Sequence, residues 1–245
     1  MASYGASASV WLDLVDASRF FNEAGLELAI DTAETSTFQP GVSPAWKAFI
    51  EGLAASKVTL KGFYDAVNDA AMMAGIRNGG SVLTYGPRGL VAVGDPARLV
   101  AVHETAIAES SPIGGAVLMN AAYQGDAAVG IGQCLHPVGI ETGTTTGPAN
   151  DDGAATTSGW QAHLHVIAVT GAPTSWTVKL QDSATGTSGW ADVAGAAFGA
   201  TNIPAAQRLV SAAGATLREY VRYVATVVGG TAPTITFGLA YARNR

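Results

Sequence analysis

Apolar and polar positions alternate with a period near two over most of this chain, the mark of half-buried strands rather than helices. Lys57, Thr59 and Lys61 alternate with Val58, Leu60 and Gly62. Ser175, Thr177, Lys179 and Gln181 alternate with Trp176, Val178 and Leu180, and Ile235, Phe237, Leu239 and Tyr241 with Thr234 and Thr236. The same reading predicts strands over 10–14, 26–30, 81–85, 90–94, 98–108, 113–124, 127–135, 161–169 and 216–228. Turn chemistry separates them: Gly86-Pro87-Arg88-Gly89, Asp95-Pro96, Glu109-Ser110-Ser111-Pro112, the polar tip 182–189 and Gly229-Gly230. Short strands at this spacing point to antiparallel sandwich or barrel architecture.

Two places break the period. In 43–52, Ser43 is placed to cap a short helix with Pro44 at its first position, and Trp46, Phe49 and Ile50 recur at helical spacing on one face before Gly52 stops it. The segment before it, 32–42, is predicted as a loop anchored by Phe38. Residues 64–75 read either way, with Asp65 able to cap a helix ending at Gly75. The stretch 139–159 has almost no large apolar residue and is expected to be a linker or long exposed loop. The chain therefore divides into a β unit over 1–138, this linker, and a small antiparallel β-sandwich over 160–245.

Charge changes across that division. Residues 1–156 hold seven Lys/Arg and sixteen Asp/Glu, and residues 157–245 hold six and three, balances of −9 and +3. An acidic first part argues against sequence-specific nucleic-acid binding, which needs clustered Lys/Arg on phosphate. Charged residues make up only 13% of the chain, about half the usual share. A surface with so little charge suits a protein that ends packed against copies of itself. The single cysteine, Cys134, excludes an intramolecular disulfide and reads as buried filler. The first ten residues lack the basic and apolar regions of a secretory signal, and no apolar run reaches a membrane span, so a soluble, cytoplasmically made protein is expected.

Candidate chemistry is sparse. His163 and His165, two apart on a strand, share a face and could chelate a metal with a third ligand such as Asp192 or Glu219, but a sheet-surface pair is the plainer reading. His103 and Glu104 are neighbours on a strand and so face opposite sides. Asp151-Asp152 lacks the spaced ladder of a calcium loop. The sequence carries no nucleophile elbow, phosphate loop or dinucleotide fingerprint. No enzyme activity and no cofactor is expected. Arg218, Tyr220 and Arg222 fall on one strand face, suited to sugar or nucleic acid, or to pairing with acidic groups of the first unit or a neighbouring subunit.

The segment Glu34-Thr35-Ser36-Thr37-Phe38, the Trp46-containing helix ending in Glu51-Gly52-Leu53, and the strand from Lys57 to Gly62 together resemble the major tail tube proteins of long-tailed bacteriophages. The resemblance is strongest over 34–65 and extends loosely over 10–135. Lys179-Leu180-Gln181-Asp182-Ser183, Gly189-Trp190 and the run from Arg218 to Tyr223 look like the β-sandwich modules that accompany phage structural proteins. The resemblance implies a mainly β fold: a tail-tube-like sandwich or barrel with a short flanking helix, then a second small antiparallel sandwich. It implies a virion protein, made and assembled in the host cytoplasm, that stacks as hexameric rings into a hollow tube. Its partners would be further copies of itself, a tape measure protein, and terminator and baseplate proteins. DNA would pass through without sequence-specific binding, and the chain would not insert in a membrane. Phe38, Trp46, Phe49 and Ile50 are then expected at structural or subunit contacts. Glu104, Glu109 and Asp126 are expected to line the lumen and repel phosphate. Two other readings stay open: a glycan- or cell-surface-binding sandwich using Trp176, Trp190 and Tyr220, and another virion component such as a capsid decoration protein.

Overall fold

The computed structural model describes residues 8–34, 49–66, 69–70, 72–73 and 80–244. Every strand pairing among them is antiparallel. The first part contains β1 (Ser9–Leu12), β2 (Val15–Asp16), a 3-10 turn (Ala17–Arg19), β3 (Phe21–Glu34), β4 (Phe49–Phe63), β5 (Gly80–Gly86), β6 (Pro96–Ser110), β7 (Leu118–Gly125) and β8 (Gly130–Glu141). The short strands β9 (Thr145–Thr146) and β10 (Asn150–Asp151) follow, then β11 (Trp160–Thr170), β12 (Ser175–Ser183), β13 (Ala191–Ala197), β14 (Ala205–Val210), β15 (Tyr220–Val228) and β16 (Thr234–Arg243).

One eleven-stranded sheet runs β14-β11-β16-β8-β6-β5-β1-β2 and branches at β6, whose far half carries β7, then β4, then β3. β6 can serve both branches because it is long: Pro96–Leu99 pair with β8, and Val102–Ser110 with β7. The sheet curls until β5 and β2 touch β11, without closing into a barrel. A second sheet, β10-β15-β12-β13 with β9 also on β15, covers its C-terminal end. The mainly β sandwich architecture expected from the sequence is thus present.

Three apolar cores follow from the strand alternation. Trp160, Ala162, Leu164 and Val166 of β11 and Ile235, Phe237, Leu239 and Tyr241 of β16 meet Trp176, Val178 and Leu180 of β12 and Val221, Tyr223 and Ala225 of β15 between the two sheets. On the other face of β16 and β8, Ala240, Ala242 and Cys134 pack with Trp11, Ala97 and Leu99. Val10, Leu12, Leu83, Val100 and Val102 turn away from that core onto Val58, Leu60, Met119, Ala121 and Tyr123 of β4 and β7. β1, and β6 over 97–102, are therefore enclosed on both faces. Each large apolar side chain so enclosed contributes about 1.5–3 kcal/mol relative to exposure.

Four expectations need correction. Phe49, Ile50 and Glu51 do not continue a helix: they open β4, paired with Glu34, Ala33 and Thr32. Apolar residues at 49 and 50 are compatible with both periods, and the long register with β3 decides for the strand. Phe38, Trp46 and residues 44–48 of that expected helix lie outside the described residues. Residues 66, 69–70 and 72–73 are helical, where Asp65 was expected to be able to cap a helix: Asp69 N–H bonds Asp65 C=O, and Met72 reaches the core of β4 and β7. Residues 90–94 form turns, not a strand, because the Asp95 carboxylate takes the Val91 and Ala92 N–H groups at 2.9 and 2.7 Å.

The third correction concerns 139–159, which is pinned to the sheets along its length. Gly139–Glu141 belong to β8, β9 and β10 pair with β15, and Thr156 bridges Leu217. Asp152 is paired with Arg243, whose guanidinium also donates to the carbonyls of Leu217, Arg218 and Glu219 at 2.6, 2.6 and 2.8 Å. The fourth is the histidine pair: His163 and His165 are fully buried rather than on a sheet surface.

Candidate assembly surface

Among the described residues, an arm formed by β3 and β4 groups several exposed apolar side chains. β7 flanks β4 only from Lys57 to Phe63, so 49–56 and their partners in 28–34 pair with each other alone. Leu28, Ile30, Ile50 and Leu53 on this ribbon are 56, 56, 58 and 82% exposed. A two-stranded ribbon is at best marginally stable in water by itself, and open strand edges invite further pairing. Polar cross-strand contacts steady its base: Lys61 Nζ lies 2.5 Å from Glu23 Oε1, and Glu27 stands opposite Lys57. Towards the tip, exposed Ile30, Ile50 and Leu53 stand among the exposed acids Asp31, Glu34 and Glu51.

A groove of about 310 Å³ runs along the foot of the arm, lined by Leu28, Ala54, Ser56, Asp126 and Val129 among others. At its rim Asp126 pairs with His103 at 3.0 Å, both exposed. Small residues keep it open, and the space beside Gly125 is taken by the Ser56 hydroxyl.

The sequence-predicted residues fall in different places. Ile50 is on the arm. Glu109 and Asp126 are exposed on β6 and just after β7. Glu104 differs: both its carboxylate oxygens are enclosed without a well-formed hydrogen bond, as is the neighbouring Tyr123 hydroxyl. Burial pushes the Glu104 carboxyl up to about 7. It is set against a core, not presented outward. Arg218 is spent inside the second sheet, on the Asp182 carboxylate and the carbonyls of Asp182 and Gly189. Arg222 forks onto Gln181 Oε1 and lies 4.2 Å over the Trp190 ring. Arg218 and Arg222 thus pair within the C-terminal part, rather than with acidic groups of the first part as expected. Trp176 is core.

Other clusters are closed. A cleft of about 410 Å³ is lined by Arg98, Ile131, Gln133, Asp152, Arg243 and Asn244, but its acid and its buried arginine are spent on each other. His136 stacks on Phe237 and touches Glu141 at 3.1 Å, and Glu141 in turn accepts from the Tyr223 hydroxyl. Burial pushes the Cys134 thiol up to about 12, which leaves little thiolate. Among the described residues, no group of three or more His, Cys, Asp or Glu is placed to hold a metal. No described helix is long and apolar enough to cross a membrane.

Fold and surface together define a sandwich-forming β protein whose arm, among the described residues, leaves apolar side chains exposed. No family model and no curated protein sequence matches the chain. Among solved structures, a chain from the virion of the native gene transfer agent particle is similar over 53% of this chain and 98% of its own, with 13% identity and a TM-score of 0.45. A chain from the tail of the empty particle, resolved with C6 symmetry, is similar over 46% of this chain and 81% of its own, at 9% identity and TM-score 0.39. The SPP1 Dit protein, described as a hub adsorption apparatus protein of phages infecting Gram-positive bacteria, is similar over 96% of this chain and 99% of its own, at 12% identity and TM-score 0.35.

Proposed function

We propose that this chain is a virion structural protein that self-associates through the β3–β4 arm, as hexameric rings stacked into a hollow tail tube. The observation that carries the reading is the arm: burying what remains exposed of Leu28, Ile30, Ile50 and Leu53 against a neighbour would contribute about 1–2 kcal/mol each before the cost of association. The low charge of the chain leaves little repulsion between copies. Six-fold rings, the tape measure protein in the lumen, the terminator and baseplate partners, and passage of DNA follow from the sequence resemblance. The exposed acids Glu109 and Asp126 are the ones available to face phosphate. The C-terminal part, 160–245, would then form the outer side of each ring.

Electron microscopy of the purified chain tests this. The wild type is expected to give six-fold rings or tubes. Leu28→Asp and Leu53→Asp are expected to abolish them with stability within about 0.5 kcal/mol, because neither side chain is buried in the monomer. Normal tubes from both variants, or a wild type that stays monomeric at high concentration, would overturn the reading. A second reading rests on Trp190, part-exposed beneath Arg222, with Tyr220 two residues away on the same strand: glycan binding by the outer face of the second sheet. Retention of a monomer on a glycan column would favour it.

A further inference from the structure

We propose that His163, Thr84 and His165 form an acid-operated latch, which holds the β1–β2–β5 end of the large sheet against β11 and releases it when the imidazoles take up protons. The two histidines share one face of β11. Their cross-strand neighbours are small on β16, Ala240 and Gly238, and on β14 His165 faces Ala206. That leaves room for two rings in a fully buried layer. A side chain at 238 would collide with the Trp11 ring, which stands edge-on to His165 at 5.8 Å. The first part thus reaches over β11 with three groups: Trp11 from β1, Asp13 from the β1–β2 turn and Thr84 from β5.

The hydrogen bonds fix every proton in the seam. Asp13 C=O can only accept, so His165 Nδ1 carries the hydrogen of their 2.9 Å contact. His165 Nε2 is then a bare lone pair and takes the Thr84 hydroxyl proton at 2.9 Å. The Thr84 oxygen is left to accept from His163 Nδ1 at 3.2 Å. His163 Nε2 ends the chain, enclosed without a well-formed hydrogen bond, with the Leu83 backbone also within reach of the ring. Both rings are neutral in this arrangement. Burial, first of all, lowers both: His163 well below its ordinary value, and His165 from 6.5 to about 4.

An added proton on His165 is favoured by the Asp13 carbonyl and by the charge of Asp16, but burial outweighs both. The Asp13 carboxylate is engaged by Val82 N–H at 2.7 Å, and burial raises its own pKa, so acid removes its charge too. Asp16 is held by Ser18, at 3.1 Å from its N–H and 2.5 Å from its hydroxyl. Arg208, opposite His163 on β14, is a like charge. The sign follows: an opened seam takes up protons below about pH 6.5 and the closed seam only near 4, so the latch is fully effective above 6.5 and weakens as pH falls between them. The second sheet holds no enclosed histidine pair: the histidine at the edge of its core, His136, packs on Tyr223 but keeps the Glu141 carboxylate at 3.1 Å, so its segments are expected to respond less.

Hydrogen exchange on the full chain, corrected for intrinsic rates, tests the latch between about pH 7 and pH 4.5. Segments 9–16 and 80–86 are expected to lose protection at least about tenfold while 176–183 and 220–228 keep most of theirs. His163→Met with His165→Met should remove the difference. Thr84→Val, which keeps both histidines but breaks the chain between them, should lower protection of 9–16 at neutral pH and covers the case in which the double variant fails to fold. Unchanged protection of 9–16 and 80–86 at pH 4.5, or equal loss in both sheets, would overturn the proposal.

Discussion

Replacing Arg243 by Met is expected to destabilise the protein by about 3–5 kcal/mol, because the change removes one partner of a buried ion pair and strands the other. The Asp152 and Arg243 side chains are only 11 and 9% exposed. The guanidinium is the hub of a junction: besides Asp152, it serves the Leu217, Arg218 and Glu219 carbonyls, while Asp152 also accepts from the Tyr241 hydroxyl at 2.9 Å. Methionine fills much of the volume but leaves a carboxylate and three carbonyls without that donor. Asp152→Asn keeps an acceptor and removes only the charge, and a loss of about 1–2 kcal/mol is expected. Combined in a double-mutant cycle, the two should couple by about 1–3 kcal/mol. Urea titration followed by tryptophan fluorescence reads these losses through Trp160 and Trp176 of the sandwich core. Limited proteolysis supplies the local readout: cleavage within 153–158 should appear in Arg243→Met well before the sheets unfold. A loss below about 1 kcal/mol, with the two substitutions additive, would refute the reasoning and return 139–159 to the status of a free linker.

Two further substitutions probe the cores. Trp176 is fully buried and its indole N–H has no partner, so Trp176→Phe gives up area but also removes an unsatisfied donor; a loss of about 1–2 kcal/mol is expected in denaturant titration, against about 3–5 for Trp176→Ala. Glu104→Gln should stabilise the protein at alkaline pH. A carboxyl raised from 4.5 to about 7 costs nothing below pH 4.5 and its full amount above pH 7, so the gain should grow through that window. With the group about half buried, solvent screening holds the gain to about 1–2 kcal/mol, and equal melting curves for variant and wild type at alkaline pH would show that the carboxylate is satisfied in solution.

What could be read from the sequence was whatever local alternation decides. Trp176, Val178 and Leu180, or Ile235, Phe237, Leu239 and Tyr241, announce their inward face because one side of each strand meets a core and the other meets water or small residues. The signal fades where both faces are buried. His163 and His165 occupy the outward positions of β11, and polar residues at outward positions read as a surface; only the packing over them of β5, about 80 residues away, and of β1 and its turn, about 150 residues away, makes them core. The polar stretch 139–159 has the same difficulty in another form. It holds its place through Asn150, Asp152 and Thr156, whose partners Gln133, Tyr241, Arg243 and Leu217 are distant in sequence, so composition alone describes a linker. β13 and β14 carry too few large apolar residues to register as strands at all.

The arm marks where the apolar pattern and the monomer part company. Leu28, Ile30, Ile50 and Leu53 have the apolar character of buried positions, and Ile50 was expected at a contact for that reason, yet in the single chain all four face outward. An apolar position that the fold does not bury is explained either by another surface or by tolerance of exposure, and the two differ in cost. Four such side chains grouped on one narrow ribbon form a hazard for aggregation unless a defined neighbour covers them. Asp substitutions on the arm separate the cases: they should raise solubility and abolish ordered association together if the neighbour is specific, and raise solubility alone if the exposure is incidental.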